Sequence, residues 1–334
     1  MSVTTIGDMA WQFGSMRRGS AIKSDLAQLS ASLSSGRVSD VTSHLGGETG
    51  RFTAINHSLA QLAAFGLAAR ETDQLLSVAQ TGLGQFNELR GQLTAQLLLV
   101  ADHSTTAQVD QAATSARGAL DVLVAVLNTR VADRAIFGGQ DVNNTPVIRA
   151  DEMIGQIVTA IGPDRTFDGI AAVIEAWFDD PAGGYATTGY RGDTGPMLQR
   201  RISDSARVEI AARADDPAIR DVLKAAVLLA VSTELPGLGA DAKRTLAQEA
   251  ASGLFESASG VTQLQARIGT AQQKLSEAMA EMSAQETGFR MAVNDLISAD
   301  PFDTATRLQS VQLQLETHYT VVGRMSQLSL LRFI

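Results

Sequence analysis

The chain has 334 residues, of which 45% are hydrophobic and 5% aromatic, with a net charge of -9 and no cysteine. That length allows one large domain or two to three ordinary ones, and the apolar share suffices for a sizeable core. The acidic balance argues against nucleic-acid binding, no run of 18 apolar residues is present to span a membrane, and the missing cysteine excludes disulfides, thiolate zinc sites and cysteine nucleophiles.

The first segment, "MSVTTIGDMAWQFGSMRRGS", lacks the apolar block and small-residue cleavage site of a secretory signal. It reads instead as a helix. Ile6, Met9, Phe13 and Met16 step by 3, 4 and 3, and Ile22, Leu26, Leu29 and Leu33 continue by 4, 3 and 4 after a phase slip around Gly19. A Ser- and Gly-rich break, "SSGRVSDVTSHLGGETG", follows, with too little apolar content to pack. A long helix is expected from about Arg51 to Ala101, carrying Ala79, Leu83, Phe86, Arg90, Leu93, Leu97 and Val100 at 3-4 spacing. Another is expected from about Thr106 to Arg130, with Val109, Ala113, Ala116, Leu120, Leu123 and Leu127 on one face.

Between residues 138 and 238 the pattern changes. Two shorter helices, "ADEMIGQIVTAI" and "FDGIAAVIEAWF", precede a glycine-rich loop, "DDPAGGYATTGYRGDTGP". "MLQRRI" and "ARVEIA" flank "SDS" as a hairpin of two short strands. Asp216 before Pro217 then starts a further helix. This stretch predicts a small mixed α+β insert.

The C-terminal part returns to long helices. From Leu254 to Leu296, thirteen positions in strict 3-4 alternation hold eleven apolar residues, a coiled-coil signal over six heptads. Begun near Asp241, such a helix would extend on the order of 85 Å. Asp300 suits an N-cap and Pro301 the first helical position, so a last helix should start there and run to about Leu331. Its apolar positions are Leu308, Val311, Leu315, Tyr319, Val322, Met325, Leu328 and Leu331. The predicted fold is mainly α: an elongated rod of long antiparallel helices from both termini, with the α+β insert in the middle.

Catalytic constellations are sparse. His44 and Glu48 stand four apart, but the two glycines of "HLGGE" disfavour helix and no third ligand is evident. Arg191-Gly192-Asp193 matches an adhesion tripeptide, yet turn chemistry explains its Gly and Asp. Gly82 and Gly84 lack the preceding strand of a phosphate loop and fall inside a helical pattern. Asp215 and Asp216 before Pro217 read as helix capping, and Asp179 and Asp180 precede Pro181 in a turn. No enzyme activity, cofactor or metal is expected.

Three segments resemble the flagellin superfamily. "LSASLSSGR" (29–37) resembles the end of that family's first helix, and "DPFDTATRLQSVQLQLETHYTVVGRMSQLSLLRFI" (300–334) resembles its C-terminal helix. "LNTRVADRAIFGGQDVNNTP" (127–146) is similar to a stretch of its hook–filament junction branch. One departure is the sequence after "SSGR", where the family runs through an Asp-Pro loop and this chain has no proline.

The resemblance implies a structural flagellar protein, extracellular and exported by the flagellar type III route without a cleaved signal. It implies assembly with copies of itself, in a helical or ring-like array, and contacts with hook-associated protein 1, flagellin and an export chaperone. The alternatives are a filament-forming flagellin and, from another class, a hydrolase or glycan-binding module on a helical rod. Residues 1–50 and 300–334 would form the inner assembly domain, 51–137 and 239–299 the rod helices, and 138–238 the outer domain. Ordering the last helix costs more than its one apolar stripe recovers, so neighbouring subunits are its natural cover. The expected assembly interface is Ile6, Met9, Phe13, Met16, Leu26, Leu29, Leu33, Leu308, Val311, Leu315, Tyr319, Val322, Met325, Leu328 and Leu331, with the first of these stripes pairing with the last helix.

Overall fold

A computed structural model of the chain describes residues 6–331, with side chains described for residues 9–325. The chain divides into two compact units, one of Met1–Ala63 with Ser283–Ile334 and one of Ala64–Met282. The long helices α3 (Thr49–Leu97) and α8 (Ala240–Ile297) contribute residues to both.

The first element is α1, Ile6–Ser35. It ends where Gly36 takes a left-handed φ of +67°, a conformation that costs glycine little. The Ser- and Gly-rich break is more ordered than its composition predicts. It holds a five-residue helix, α2 (Val41–Leu45), and a 3-10 turn (Gly46–Glu48) before α3 (Thr49–Leu97) begins. Short polar side chains substitute here for apolar packing. Ser39 donates its amide to Ser32 Oγ at 3.0 Å, and Asp40 caps α2 by accepting from the Ser43 amide at 3.0 Å. The Ser43 hydroxyl also donates to Asp40, and these bonds hold that carboxyl below its usual range.

The next helix is α4, Thr106–Leu127, opened by a capping box in which Thr105 and Gln108 bond reciprocally. Every apolar position expected on its inner face is buried, as are those on the second half of α3 except Arg90. Arg90 occupies a seam position, and its guanidinium donates to the Leu254 carbonyl of α8 at 2.7 Å. A half-buried charge in an aliphatic seam is thereby satisfied, and the bond ties α3 to α8 at one register.

A two-residue hairpin follows, β1 (Arg130–Val131) with β2 (Arg134–Ala135). The predicted helix end at Arg130 thus gives way to a turn in which Ala132 and Asp133 both have positive φ, at 47° and 60°. Glycine or asparagine usually signals such a turn, and neither is present. After it, Phe137 is fully buried and lies against α3 at Gly82, where an added Cβ would stand 3.2 Å from its ring. Gly82 is therefore a notch for an aromatic ring within an unbroken helix. Gly139, at φ +68°, completes the turn, and Gly138 approaches the Asp141 carbonyl too closely for any Cβ.

The predicted helices of the insert are α5 (Ala150–Ile161) and α6 (Phe167–Asp179). The glycine-rich loop after α6 contains an unpredicted π-helical turn, Tyr185–Gly189. Its glycines let the backbone lie flat on Trp177, beside Phe178 and Tyr185. The hairpin β3 (Leu198–Arg201) with β4 (Arg207–Ile210) is antiparallel as expected. Asp216 accepts from the Ala218 amide at 3.0 Å to cap α7, Pro217–Ala230, which packs on α4 and α6. The core of the Ala64–Met282 unit lies among these helices, with α7 against α8 at Gly253 and Gly260.

The helix α8 runs from Ala240 to Ile297 and α9 from Pro301 to Leu331. All nine heptad positions from Leu254 to Met282 are buried. Beyond them Gln285 is exposed and Phe289, Ala292 and Leu296 are half-buried, so the sequence repeat outlasts the dry seam. Asp300 accepts from the Phe302 and Asp303 amides at 2.8 and 3.1 Å, so it caps α9 as its position before Pro301 predicts.

Charge is divided unequally between the units. The unit built from the two chain ends holds nine basic and nine acidic residues, whereas Ala64–Met282 holds 18 basic and 27 acidic. The entire net charge of -9 belongs to the latter.

Candidate functional site

The two chain ends meet in one unit, where α1 packs along α9. Backbone bonds fix the end of this pair. Val38 donates to the Ile297 carbonyl at 2.9 Å, and Ala299 donates to the Gly36 carbonyl at 3.0 Å. Arg37 adds a 2.9 Å bond to Asn294 Oδ1. The connection after α1 is thus stitched to the turn between α8 and α9, which sets the register of the pair.

Along the pair, Ile22, Leu26 and Leu29 of α1 and Leu308, Val311, Leu315 and Val322 of α9 are half-buried. Among the described side chains of both helices, only Ser32 and Thr304 are fully buried. This is a thin seam with no dry core. Lys23 sits 5.7 Å from the Tyr319 ring and covers its face.

The expected pairing of the Met9-Phe13-Met16 stripe with α9 does not occur. Met9 is 49% exposed, Phe13 67% and Met16 61%. The cause is the phase slip at Gly19. At about 100° per residue, the stripe of Met9, Phe13 and Met16 lies roughly 140° around the helix from that of Ile22, Leu26, Leu29 and Leu33. Only one of the two stripes can face α9, and it is the second. Gly14, Ser15 and Gly19 lie on the inner side of the first half together with Trp11 and Arg18. Gly19 meets His318 so closely that a Cβ would stand 2.9 Å from the imidazole Nε2. Leu33, Tyr319 and Met325, also expected at the interface, are exposed, as are Phe302, Leu313 and Val321 of α9. The side chains of Ile6, Leu328 and Leu331 lie outside the described residues.

Other candidate sites resolve into structure. His44 lies in α2 and Glu48 in the 3-10 turn, so this stretch is helical despite its glycines, and both side chains are exposed. Among the described residues, no group of three or more His, Asp or Glu is arranged to hold a metal ion. In the Arg191-Gly192-Asp193 turn, the Asp193 amide donates to the Gly138 carbonyl at 2.9 Å and one Asp193 carboxylate oxygen is buried. Arg213 pairs with Asp215 through two bonds of 2.7 and 2.6 Å. Burial works against the Arg213 charge, but the Asp215 bonds outweigh it and raise its pKa. The Tyr185 hydroxyl donates to the Ala214 carbonyl at 2.6 Å, and burial, then Asp215, raise the pKa of both Tyr185 and Tyr190. The groups around this cluster tie the insert together. A groove of about 490 Å³ beside α6, α7 and α8 is lined by Glu175, Asp221, Glu249 and Glu256 around Lys224. Lys224 itself is bound to Asp179 at 2.6 Å.

The arrangement is that of a helical structural protein whose extended apolar faces lie on its paired ends. No described helix is long and apolar enough to cross a membrane. Residues 254–334 match the family model of the bacterial flagellin C-terminal helical region. The match spans 81 of the 334 residues, from the buried α8 seam through all of α9. It supports the flagellin superfamily for this chain and, with it, a structural component of the flagellar polymer. No curated protein matches the chain.

Proposed function

We propose that this chain is a structural adaptor of the bacterial flagellum, of the hook–filament junction type, which joins its neighbours through the paired terminal helices. The observation that carries this reading is the exposure of large apolar side chains on both faces of the α1–α9 pair, Phe13 and Phe302 foremost. Such faces on a unit with balanced charge favour packing of many copies side by side. In this reading residues 1–50 and 300–334 are the inner assembly domain, 51–137 and 239–299 carry it outward, and 138–238 project as the outer domain. The site is the set Ile6, Met9, Phe13, Met16, Leu26, Leu29, Leu33, Leu308, Val311, Leu315, Tyr319, Val322, Met325, Leu328 and Leu331. Partners are further copies, hook-associated protein 1, flagellin and an export chaperone, and export precedes folding of the ends.

A filament-forming flagellin is the competing reading, since the matched C-terminal region belongs to flagellins. The resemblance of "RAIFGG" to the junction branch favours the adaptor. The two differ in self-assembly, which electron microscopy of the purified full chain reads directly. The adaptor reading expects short, limited arrays, and long filaments grown from this chain alone would overturn it.

A further inference from the structure

The thioethers of the described side chains are divided between the two units as sharply as the charge. Met9, Met16, Met291 and Met325 are 49%, 61%, 61% and 42% exposed, and all of them belong to the unit built from the chain ends. In Ala64–Met282, Met153 and Met282 are buried, and Met197 and Met279 are half-buried. The chain has no cysteine thiol to intercept an oxidant first. Met9 and Met16 lie about two helical turns apart on one side of α1, with the exposed Phe13 between them. Met325 borders an open cavity of about 240 Å³ in the α1–α9 seam, beside Trp11, Arg18, His318 and Val322.

We propose that Met9, Met16 and Met325 are a modification site for peroxides, and that their sulfoxidation keeps an oxidised copy out of the assembly. The inference rests on assembly through the terminal helices and adds a chemical control over it. In the step, the thioether sulfur donates an electron pair to one peroxide oxygen. The S–O bond forms, the O–O bond breaks, and the departing hydroxide takes up the remaining proton and leaves as water. Sulfur is oxidised and the peroxide reduced. A soft apolar side chain becomes a polar, chiral one.

The stripe of Met9 and Met16 is turned away from α9, so oxygen added there leaves the helix pair closed. It changes the surface that a neighbour meets. A copy covering Phe13 would have to desolvate the sulfoxides on either side of the ring, a cost that unpaired polar groups impose.

The test treats the full-length chain with dilute hydrogen peroxide and follows it by peptide mass spectrometry, circular dichroism and sedimentation. Met9, Met16 and Met325 are expected to gain oxygen before Met153 and Met282. The helical signal should hold, while the concentration needed for self-association rises about tenfold or more. Methionine sulfoxide reductases, one for each epimer, should restore association with a dithiol as reductant, the oxygen leaving as water and the dithiol closing to a disulfide. A variant carrying Met9→Leu, Met16→Leu and Met325→Leu should keep associating in peroxide, whereas Met291→Leu alone should stay sensitive. Equally fast oxidation of Met153, unchanged association of the oxidised wild type, or peroxide sensitivity in the triple variant overturns the inference. Loss and recovery in the wild-type chain decide the outcome even where the leucines themselves disturb association. A wild-type chain that does not self-associate before peroxide is added overturns the assembly reading and the control built on it, while the order of oxidation still tests the modification site.

Discussion

Replacement of Leu315 by Asp tests whether the α1–α9 pair is a separate, weakly held unit. Leu315 is half-buried in the seam. Losing that partial burial costs about 1 kcal/mol, and a partly desolvated carboxylate costs about 1–3 kcal/mol more. A total of roughly 2–4 kcal/mol falls on a seam with only two fully buried side chains among the described residues, Ser32 and Thr304. The two helices hold 30 and 31 of the 234 α-helical residues among those described, so their melting removes about a quarter of that helix. Circular dichroism at 222 nm should fall by up to that fraction. Trypsin should cut at Arg17, Arg18, Lys23, Arg307 and Arg324 faster by a factor of roughly 30 or more, since local opening sets the rate. Trp177, buried in the other unit, should keep its emission, and assembly should be lost. Full helicity with unchanged cleavage and normal assembly would refute the reasoning. A helical loss well beyond the roughly two fifths of the described α-helix that falls in Met1–Ala63 and Ser283–Ile334 would also refute it, by showing that the Ala64–Met282 unit does not hold its structure independently.

Three further outcomes are expected. Phe137→Ala empties the notch at Gly82 and should cost about 3–5 kcal/mol of the Ala64–Met282 unit's stability in urea titration. Ala132→Gly relieves a positive φ at a turn of β1 and β2 and should raise the melting temperature, by an amount worth about 1 kcal/mol. Tyr185 carries a raised pKa because burial disfavours its phenolate. Above pH 10 the unfolded chain loses that proton while the folded chain keeps it, so stability present below pH 10 should decline as pH rises further. Trp177, 5.9 Å from Tyr185, should report the transition in its fluorescence. Tyr185→Phe should weaken the pH dependence while costing about 1 kcal/mol at neutral pH for the lost bond to Ala214.

Local chemistry made much of this architecture readable before any coordinates. Asp300 with Pro301 and Asp216 with Pro217 fix helix starts through a side-chain oxygen and a missing donor, both independent of tertiary context. The heptads from Leu254 to Met282 are legible because every buried position is apolar or small. What escaped depends on partners. Periodicity finds a stripe but not the surface it faces, so it pairs Met9, Phe13 and Met16 with α9 although the phase slip at Gly19 turns them away. The same repeat runs on past Met282 without a dry seam around it. The hairpin at residues 130–135 was hidden because Ala132 and Asp133 adopt a backbone that their neighbours impose. The π-helical turn at Tyr185–Gly189 arises from Trp177 beneath it, a contact that spacing does not encode. Of the candidate interface, the seam residues Leu26, Leu29, Leu308, Val311, Leu315 and Val322 are legible as helix-packing positions.

The uneven division of charge has a colloidal consequence. If copies join through the unit with nine charges of each sign, as proposed above, the polymer gathers many copies of a second unit that carries all the net negative charge. Each such unit draws counterions, and with a Debye length of ~8 Å at physiological ionic strength their clouds overlap where copies crowd. The assembled particle would then behave as a polyelectrolyte brush. Counterion pressure would hold one particle off the next and resist bundling, while the neutral, apolar joint stays nearly indifferent to salt. Cohesion within a particle and repulsion between particles would thus be set by different stretches of one chain.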